Sequence, residues 1–412
     1  MKKKVLVYAH YFYPDVASTG QILTELCEGL GDDFDITVIC VVPSYDGKVD
    51  EKYKKKRIFI GEYANISVIR VRAPEFDKKN RLSRIKNILA YFFNAIYATF
   101  KVGEQDIIFS ISQPPILGGI LGVIGKFIKR AKFIYNIQDF NPEQTEAVGY
   151  AKNRVMLNLA EALDKFSCKV SDMIVVVGRD MQETLNNRFK GKNVPKSVVV
   201  NNWIDEKQIY HLQEDHPRVL AFKKQYGLDG KFVFMYSGNI GLYYDLENII
   251  KVIGEFKDED DVVFVFVGDG SVKQLLVNYV EENSLSNVKF IPYQRKEDLI
   301  YSLNSADAHI VANAKGIKGV SVPSKVYGIM ATEKSILGIL EKGSEAELMI
   351  NASDCGICIS PGDYENIENQ IVYILGNKEK FKAKGENGRK DITTKYTKEI
   401  STKKYIELLM KI

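Results

Sequence analysis

Residues 233–256, VFMYSGNIGLYYDLENIIKVIGEF, set the fold that we predict for this sequence. Val233–Tyr236 is an uncharged apolar run typical of a buried strand, and Ser237–Gly241 follows it as a turn with two glycines. A helical pattern comes next, with apolar residues three and four positions apart at Leu246, Ile249, Ile250, Ile253 and Phe256. The stretch is therefore one strand–turn–helix unit of a parallel sheet.

The same unit recurs along the 412-residue chain. In the first half we predict strands at Val5–Ala9, Ile36–Val42, Ser67–Val71, Asp106–Ser110, Phe133–Gln138, Met173–Val177 and Ser197–Val200, and helices at Gly20–Leu30, Leu82–Lys101, Ile116–Lys129, Arg154–Ser171 and Asp180–Phe189. In the second half we predict strands at Val233–Tyr236, Val262–Val267, Val288–Ile291, Ala308–Val311, Ser335–Leu340 and Gly356–Ser360. This alternation predicts an α/β fold of two doubly wound parallel-sheet domains.

The boundary between the two halves is expected where the periodic pattern lapses into the polar stretch 204–228, the predicted linker. We place the first domain at residues 1–205 and the second at 206–394. The last segment, Ser401–Ile412, has the pattern of a short amphipathic helix, so its apolar face has to be buried.

Composition and charge exclude several classes of protein. The chain is 45% hydrophobic and 27% charged, values ordinary for a globular protein and unlike those of a disordered chain. Its 57 Lys and Arg against 53 Asp and Glu give a net charge of only +4, too balanced for a surface devoted to nucleic acid. We expect no nucleic-acid partner.

The N-terminus and the cysteines indicate a cytoplasmic protein. The sequence begins MKKK and enters the first predicted strand without the apolar core and cleavage site of a signal peptide. No uncharged run fits a membrane span, since the longest, 107–125, contains two serines and two prolines. The five cysteines are odd in number and mostly lie in apolar segments, as expected of reduced thiols.

Ligands of open parallel sheets bind beyond the carboxyl ends of the strands, so the loops after strands are candidate sites. The loops with Gly238 and Gly241 and with Gly268 and Gly270 let a ligand approach the backbone, and the free N–H groups of the first favour an anion such as diphosphate. Ordinary tight turns are the alternative for both. In a third loop, Ser324 and Lys325 follow Pro323 at a helix start and suit a phosphate clamp.

Three polar residues of the first half also follow strands. Asp139 and Glu143 come after Phe133–Gln138, where either could steer or deprotonate a hydroxyl group, or cap a helix. His10 ends the first strand. No G-x-G-x-x-G or G-x-x-x-x-G-K-[ST] motif is placed to bind a nucleotide, and no histidine, cysteine or D-x-D pattern has the context of a metal site. We expect neither a metal nor a cofactor.

Seven stretches in succession resemble glycosyltransferase family 4, and within it the branch of fucosamine and colanic-acid-type transferases of bacterial surface polysaccharide synthesis. They are YFYPDVASTGQ (11–21), DFNPE (139–143), NNWID (201–205), YSGNIG (236–241), VGDGS (267–271), VPSKVYGIMA (322–331) and CGICISPGD (355–363). The resemblance implies a GT-B architecture, two Rossmann-like domains facing across a cleft, with residues 395–412 packing back on the first domain. It also implies a metal-independent, retaining transferase.

The resemblance assigns roles to individual residues. We expect Lys325, Asp139 and Asn239 to be catalytic. The expected donor-binding residues are Gly20, Gly238, Gly241, Gly268, Gly270, Tyr293 and Ser324, and the expected acceptor-side residues are His10, Thr19 and Glu143. The family's paired glutamates are replaced by Val320 and Gly328, and Asn239 stands where an Arg is usual. Lys325 is therefore the leading candidate for the charge that binds diphosphate.

The expected function is transfer of a hexosyl or N-acetylhexosaminyl group from a nucleotide-diphosphate sugar, with a UDP-sugar favoured. The expected acceptor is a saccharide or a polyprenyl-diphosphate-linked saccharide, in surface polysaccharide or glycan synthesis. Basic residues beside an aromatic helix in the segment 78–101 suit an anionic membrane surface, which predicts a peripheral protein on the inner face of the plasma membrane; a buried helix with a solvated basic end is the alternative. A nucleotide-sugar 2-epimerase and a non-catalytic nucleotide-sugar-binding subunit remain open as other functions.

Overall fold

The computed structural model describes residues 2–15, 17–77, 80–147, 149 and 153–412. They divide into two compact units, Met1–Asn202 with Lys398–Ile412, and Trp203–Thr397. Each unit is built on one mainly parallel sheet. No helix within the described ranges is both long enough and apolar enough to cross a bilayer.

The first unit has an eight-stranded sheet. Its strands are β1 (Lys3–Tyr8), β2 (Phe34–Val41), β3 (Ile58–Tyr63), β4 (Ile66–Val71), β5 (Ile107–Ile111), β6 (Lys132–Ile137), β7 (Met173–Val176) and β8 (Ser197–Val199), in the order β3-β4-β2-β1-β5-β6-β7-β8. Its first helices are α1 (Ser18–Leu30), α2 (Arg81–Lys101), α3 (Leu117–Lys129), α4 (Glu143–Ala147), α5 (Arg154–Val170) and α6 (Arg179–Arg188). All strand pairs are parallel except β3 with β4.

The second unit has a six-stranded, fully parallel sheet in the order β11-β10-β9-β12-β13-β14. Its strands are β9 (Phe232–Ser237), β10 (Val262–Val267), β11 (Val288–Ile291), β12 (Ala308–Ala312), β13 (Ser335–Ile339) and β14 (Gly356–Ile359). Its helices are α7 (Pro217–Tyr226), α8 (Leu246–Gly254), α9 (Lys273–Glu282), α10 (Leu299–Asn304), α11 (Lys325–Ala331), α12 (Glu345–Ala352), α13 (Tyr364–Gly376) and α14 (Lys378–Lys395). Strand β10, VVFVFV, is buried at every position, because helices cover both faces of the sheet.

Two elements differ from the sequence expectation. The predicted linker contains α7, which His216 caps by accepting the N–H of Arg218 and which Pro217 starts, so a helix signal lay inside a stretch that looked polar. Strand β3 was missed because it is the antiparallel edge strand, with no fully buried residue and Gly61 in its interior.

The chain crosses from the first unit to the second after Asn202, earlier than predicted, and returns at Lys398, later than predicted. Ile204 belongs to the second unit because its N–H donates to the Tyr396 carbonyl at 3.3 Å and it forms a bridge with Thr397.

The last helix, α15 (Lys398–Lys411), is part of the first unit. Tyr405 and Leu409 are fully buried, and the Tyr405 hydroxyl accepts a hydrogen bond of 2.6 Å from Asn136 on β6. At the helix end, the Lys3 ammonium donates to the carbonyls of Leu409 and Met410. Helix α15 therefore packs on the core of the first unit, against α1 and β6. The contact between the Lys3 ammonium and the last carbonyl groups of α15 suits the negative end of the helix dipole.

We predict that Leu409→Ala lowers the free energy of unfolding of the first unit by about 2–4 kcal/mol, because it leaves a cavity between α15 and the sheet. The neighbouring Met410 is 47% exposed, so Met410→Ala serves as the matched control and should change stability by less than about 0.5 kcal/mol. Urea titrations followed by circular dichroism measure both. Equal losses in the two variants would contradict the assigned burial of Leu409.

Candidate functional site

The candidate donor site of the second unit lies where the strand order reverses, between β9 and β12. At such a switch point the loops after the two central strands diverge and leave a crevice at their carboxyl ends. The loop 238–241 follows β9, and Lys325, the first residue of α11, follows β12 along the chain.

Glycines allow two loops of this site to pack against each other. Gly238 has φ +141° and Gly268 has φ +140°, values that residues with a side chain rarely adopt. A Cβ atom on Gly268 would lie 2.0 Å from the Gly238 carbonyl oxygen, and one on Gly270 would lie 2.1 Å from that of Ile240. The fold itself therefore requires three of the glycines expected at the donor, Gly238 for its backbone conformation and Gly268 and Gly270 for the packing of the loops.

Two backbone N–H groups of the loop 238–241 donate hydrogen bonds within the protein. The Gly238 N–H donates to the Val267 carbonyl and the Ile240 N–H to that of Asp269, both at 2.9 Å. Among the described residues no acceptor is found for the amides of Asn239 and Gly241. Only these two, rather than the whole loop, can bind an anion.

Lys325 carries the charge of this site. Its Nζ lies 3.7 Å from the ring centroid of Tyr236 and 4.4 Å from that of Tyr244, and 3.6 Å from the position a Cβ would take on Gly238. The Nζ atom is buried and has no hydrogen-bond partner within the described ranges. Burial lowers the pKa of Lys325 to about 7.

The environment of the Lys325 ammonium favours binding of an anionic ligand. The two aromatic faces stabilise the cation without accepting its N–H groups, so its hydrogen-bonding capacity is unused. Such a buried charge is costly unless it is paired, and here no carboxylate pairs with it in the part of the chain that the structure describes. Neither tyrosine was predicted as part of the site, since Tyr236 in strand β9 has the pattern of a core residue and Tyr244 lies in a short 3-10 helix beyond the glycine loop.

The remaining donor-side residues lie at the surface. Asn239 and Ser324 are exposed, and the Ser324 side chain makes no cap on α11, a helix of seven residues. Tyr293 is 60% exposed in the loop after β11. The roles of these three residues in donor binding and catalysis stay predictions.

Glu341 is a further polar residue that the sequence did not reveal. Its carboxylate accepts the N–H groups of Gly316 and Lys318 at 2.8 and 2.9 Å. It therefore fixes the loop that leads to Pro323 and Lys325, in a region where Val320 and Gly328 offer no carboxylate.

The first unit contains its own pocket of about 170 Å³ at the carboxyl ends of β1, β5 and β6. Helix α2 supplies one wall. The lining residues are His10, Tyr11, Phe76, Arg84, Asn87, Ile88, Gln113, Pro114, Pro115, Asp139, Asn141 and Gln144. The structure thus brings together two residues, His10 and Asp139, that are 129 positions apart in sequence (139 less 10).

Asp139 is half-buried and lacks a cationic partner among the described residues. Gln113 and Gln144 donate to its two oxygens at 3.4 and 3.3 Å, and burial raises the pKa of the carboxyl to about 6. The pKa of His10 is lowered to about 4, chiefly by burial, so its ring is neutral at pH 7. Its Nε2 has no partner within the described residues.

These groups suit recognition of a hydroxyl compound. A carboxylate with a pKa near 6 is ionised at neutral pH yet still basic enough to accept a hydroxyl proton or to orient that hydroxyl. Arg84, exposed on α2, adds a positive charge to the pocket lining. In the sequence, Arg84 was visible only as one of the basic residues of segment 78–101, and neither Gln113, in the loop after β5, nor Gln144, on α4, was predicted to be at the site.

The other acceptor-side residues lie outside this pocket. The carboxylate of Glu143 is engaged by Arg188, whose Nε and Nη2 donate to it at 2.9 and 2.6 Å, so Glu143 stabilises the start of α4. Gly20, which was expected to bind the donor, lies on α1 and packs on the loop after β1, where a Cβ would come within 3.0 Å of the Tyr11 carbonyl oxygen. Thr19 is half-buried on α1 and does not line the pocket.

No group of three or more histidine, cysteine, aspartate or glutamate side chains among the described residues could hold a metal ion. In the segment 78–101, Lys78 and Lys79 lie outside the described residues, and the remainder is α2. Its aromatic residues do not share one face, since Tyr91 is buried whereas Phe93 and Phe100 are exposed.

The sequence is similar to those of known proteins. Residues 218–391, within the second unit, match the family described as "Glycosyl transferases group 1". WbjE of Pseudomonas aeruginosa, named as a glycosyltransferase, is 28% identical over 70% of this chain and 71% of its own length. WcaI of Escherichia coli, named as a colanic acid biosynthesis glycosyl transferase, is 25% identical over 90% of this chain and 91% of its own.

Solved structures share the fold. Sucrose-phosphate synthase from Thermosynechococcus elongatus has a TM-score of 0.79 at 12% identity, covering 100% of this chain and 99% of that one. HepE of Anabaena, solved in complex with UDP and glucose, has a TM-score of 0.71 at 14% identity, covering 100% of both chains. The predicted GT-B fold of two Rossmann-like domains is confirmed, and the chain is a glycosyltransferase that carries a glycosyl transferases group 1 domain.

Proposed function

We propose that this enzyme transfers a sugar from a nucleoside-diphosphate sugar to a saccharide acceptor during synthesis of a bacterial surface polysaccharide. The observation that carries the proposal is the Lys325 ammonium, buried without an acidic partner in the described residues and held over the glycine loop at the switch point of the second sheet. A bound diphosphate would be the anionic partner of this cation. The polysaccharide context rests on the relatives' names, including that of WcaI.

The donor is proposed to be bound by the second unit, with its diphosphate on Lys325 and on the amides of Asn239 and Gly241. A UDP-sugar is favoured because HepE, which shares the fold, was solved with UDP and glucose. Fixed donors in a site shielded from water stabilise a departing anion more strongly than water does. No metal is required in this scheme.

The proposed reaction retains the anomeric configuration. The bond between the sugar anomeric carbon and the diphosphate oxygen breaks, and its electron pair stays on the leaving diphosphate, which Lys325 stabilises. The acceptor hydroxyl forms the new bond on the same face, and its proton passes to the leaving phosphate oxygen. Asp139 orients the hydroxyl and assists this proton transfer, so no carboxylate nucleophile is needed.

The acceptor is proposed to be bound in the pocket of the first unit, near His10 and Asp139. A saccharide linked to polyprenyl diphosphate would place an anion beside the sugar, and Arg84 offers a cation for it. Such an acceptor lies at the inner face of the plasma membrane, and the exposed part of α2 would contact that face.

A donor-turnover assay distinguishes this function from its alternatives. Incubation with a panel of UDP- and GDP-sugars should release the nucleotide diphosphate slowly without acceptor and faster with a lipid-linked saccharide. Conversion of the sugar without release indicates an epimerase, and binding without either change indicates a non-catalytic subunit. Either of these two outcomes overturns the proposed function. Loss of activity when a chelator is added overturns the proposal that the enzyme needs no metal.

We predict that Lys325→Met lowers kcat/KM at least about tenfold, as for one lost charged contact of roughly 1.4 kcal/mol in the transition state. Lys334 is the matched control: it is a second buried lysine of this unit, at the opposite end of the sheet, with a pKa also lowered by burial. Lys334→Met should keep kcat/KM within about twofold of the parent. Steady-state assays that show equal losses would remove Lys325 from the mechanism.

The same substitution should make the protein more stable. The pKa of Lys325 is about 7 in the fold against 10.5 normally, so the charge destabilises the folded state fully below pH 7 and progressively less as the pH rises toward 10.5. Lys325→Met should therefore raise the Tm of the second unit by at least about 2 °C at pH 6, with a smaller gain at pH 9. Calorimetry that finds a lower Tm at pH 6 would indicate a structural role for Lys325.

We predict that kcat/KM falls below pH 6, about tenfold per pH unit, since Asp139 with its pKa of about 6 becomes protonated there. Asp139→Asn should lower kcat/KM at pH 7.5 and remove this acidic limb. Gln144→Ala, which removes one hydrogen bond to the carboxylate, should keep the limb and shift its midpoint upward. A profile of the Asn variant that parallels the parent would exclude Asp139.

A further inference from the structure

Exposed apolar side chains are concentrated on three helices of the first unit. Twelve of the 23 large apolar residues exposed in the described part of the chain belong to α2, α3 and α5. They are Leu82, Ile85, Leu89, Phe93, Tyr97 and Phe100 on α2, Phe127 on α3, and Val155, Met156, Leu159, Leu163 and Phe166 on α5. Single exposed apolar residues are normal, but a cluster of this size indicates an interaction surface.

The residues form stripes rather than a scatter. Leu82, Ile85, Leu89 and Phe93 recur at steps of three and four along α2, so they share one helix face. Met156, Leu159, Leu163 and Phe166 do the same along α5, and Val155 lies four positions before Leu159 on that face. Helix α3 packs against both α2 and α5, and its Ile120, Ile124 and Ile128 are half-buried between them. We name the twelve residues together the three-helix surface.

The charges around this surface are almost all positive. Helices α2 and α3 contain no aspartate or glutamate. On α5, Glu161 pairs with Lys165 at 2.6 Å and Asp164 is buried against Arg188. Exposed basic residues lie on or beside the same three helices, namely Arg81, Arg84, Lys86 and Lys101 on α2, Arg130 after α3, and Arg154 and Lys169 on α5.

We infer that the three-helix surface seats the protein on an anionic lipid bilayer, with the apolar stripes in the interface and the basic residues at the headgroups. The inference deepens the proposed function, because it extends the membrane contact from α2 alone to α3 and α5. Apolar helix faces rimmed by Lys and Arg have the composition of interfacial helices, and the one-sided charge complements acidic phospholipids. A soluble protein partner would not require the lack of acidic residues on α2 and α3.

The position of the acceptor pocket supports this occupant. Arg84, Asn87 and Ile88 of α2 line the pocket that contains Asp139, while Leu82, Ile85 and Leu89 of the same turns belong to the three-helix surface. A bilayer in contact with these turns would hold lipid-linked saccharides within reach of the pocket. The surface thus selects acceptors that are anchored in the membrane.

The test is co-sedimentation of the full chain with vesicles of phosphatidylglycerol and phosphatidylethanolamine, and with vesicles of phosphatidylcholine alone. We expect binding to the anionic vesicles that weakens as salt is added, and at least about tenfold weaker binding to phosphatidylcholine. The double variant Phe93→Glu with Leu159→Glu should bind anionic vesicles at least about tenfold more weakly, since two apolar anchors become acidic.

The matched control lies on the second unit, where Leu275 and Val372 are exposed to 60% and 56%, against 59% for Phe93 and 60% for Leu159. Leu275→Glu with Val372→Glu should bind anionic vesicles as the parent does. Equal binding by both double variants, or no vesicle binding by the parent, overturns the inference. The inference is also overturned if size-exclusion chromatography shows that the parent is a dimer and that the Phe93→Glu with Leu159→Glu variant is a monomer, because this face would then bind a second copy of the chain.

Failure of this inference is distinguishable from failure of the proposed function. Donor turnover with a water-soluble saccharide acceptor should be unchanged in both double variants, because none of the four residues lines the pocket or contacts Lys325. With the lipid-linked acceptor in vesicles, only the Phe93 and Leu159 variant should lose turnover. Turnover that is absent with every acceptor contradicts the proposed function, whatever the vesicles show.

Discussion

The proposed chemistry of this enzyme depends on one cation, the Lys325 ammonium, which lies over the rings of Tyr236 and Tyr244 and has no acidic partner in the described part of the chain. The aromatic faces lower the cost of burying the charge but leave its N–H groups unused. The hydroxyl of Tyr236 also donates to the Asn239 carbonyl at 2.7 Å, so the same side chain holds the cation and the glycine loop below it. The site is therefore organised before an anion arrives, which is what electrostatic stabilisation of a leaving group requires.

Each unit contains a buried ionisable group that is a candidate for substrate binding. The second unit holds a cation whose pKa is lowered, and the first holds a carboxyl whose pKa is raised, each chiefly because burial disfavours the charged form. Burial also raises the pKa of Asp164, but Arg188 pairs with both Asp164 and Glu143. The presence or absence of a partner thus separates groups that are available to a substrate from groups that hold the fold.

The first unit also combines an acceptor pocket with an exposed apolar surface on one helix. Residues of α2 that face the sheet, such as Tyr91, are buried, whereas Phe93 and Phe100 are exposed although burial of each would be favourable. Helix α5 repeats this arrangement without acidic residues that stay unpaired and exposed. The fold thus places an exposed apolar surface next to the pocket that contains Asp139, as the proposed lipid-linked saccharide acceptor requires.

Periodicity alone determined the two parallel sheets, because strands covered on both faces must be continuously apolar, as in β10, and helices on those sheets must be amphipathic. It could not find the edge strand β3 or helix α7, whose burial is partial. The glycines and Lys325 were visible as residues after strands. Tertiary structure decided the rest, since contacts between distant segments fix which charges are paired. It gave Lys325 its two tyrosines, gave Asp139 its glutamines, placed Glu143 on Arg188, and aligned the apolar faces of α2, α3 and α5.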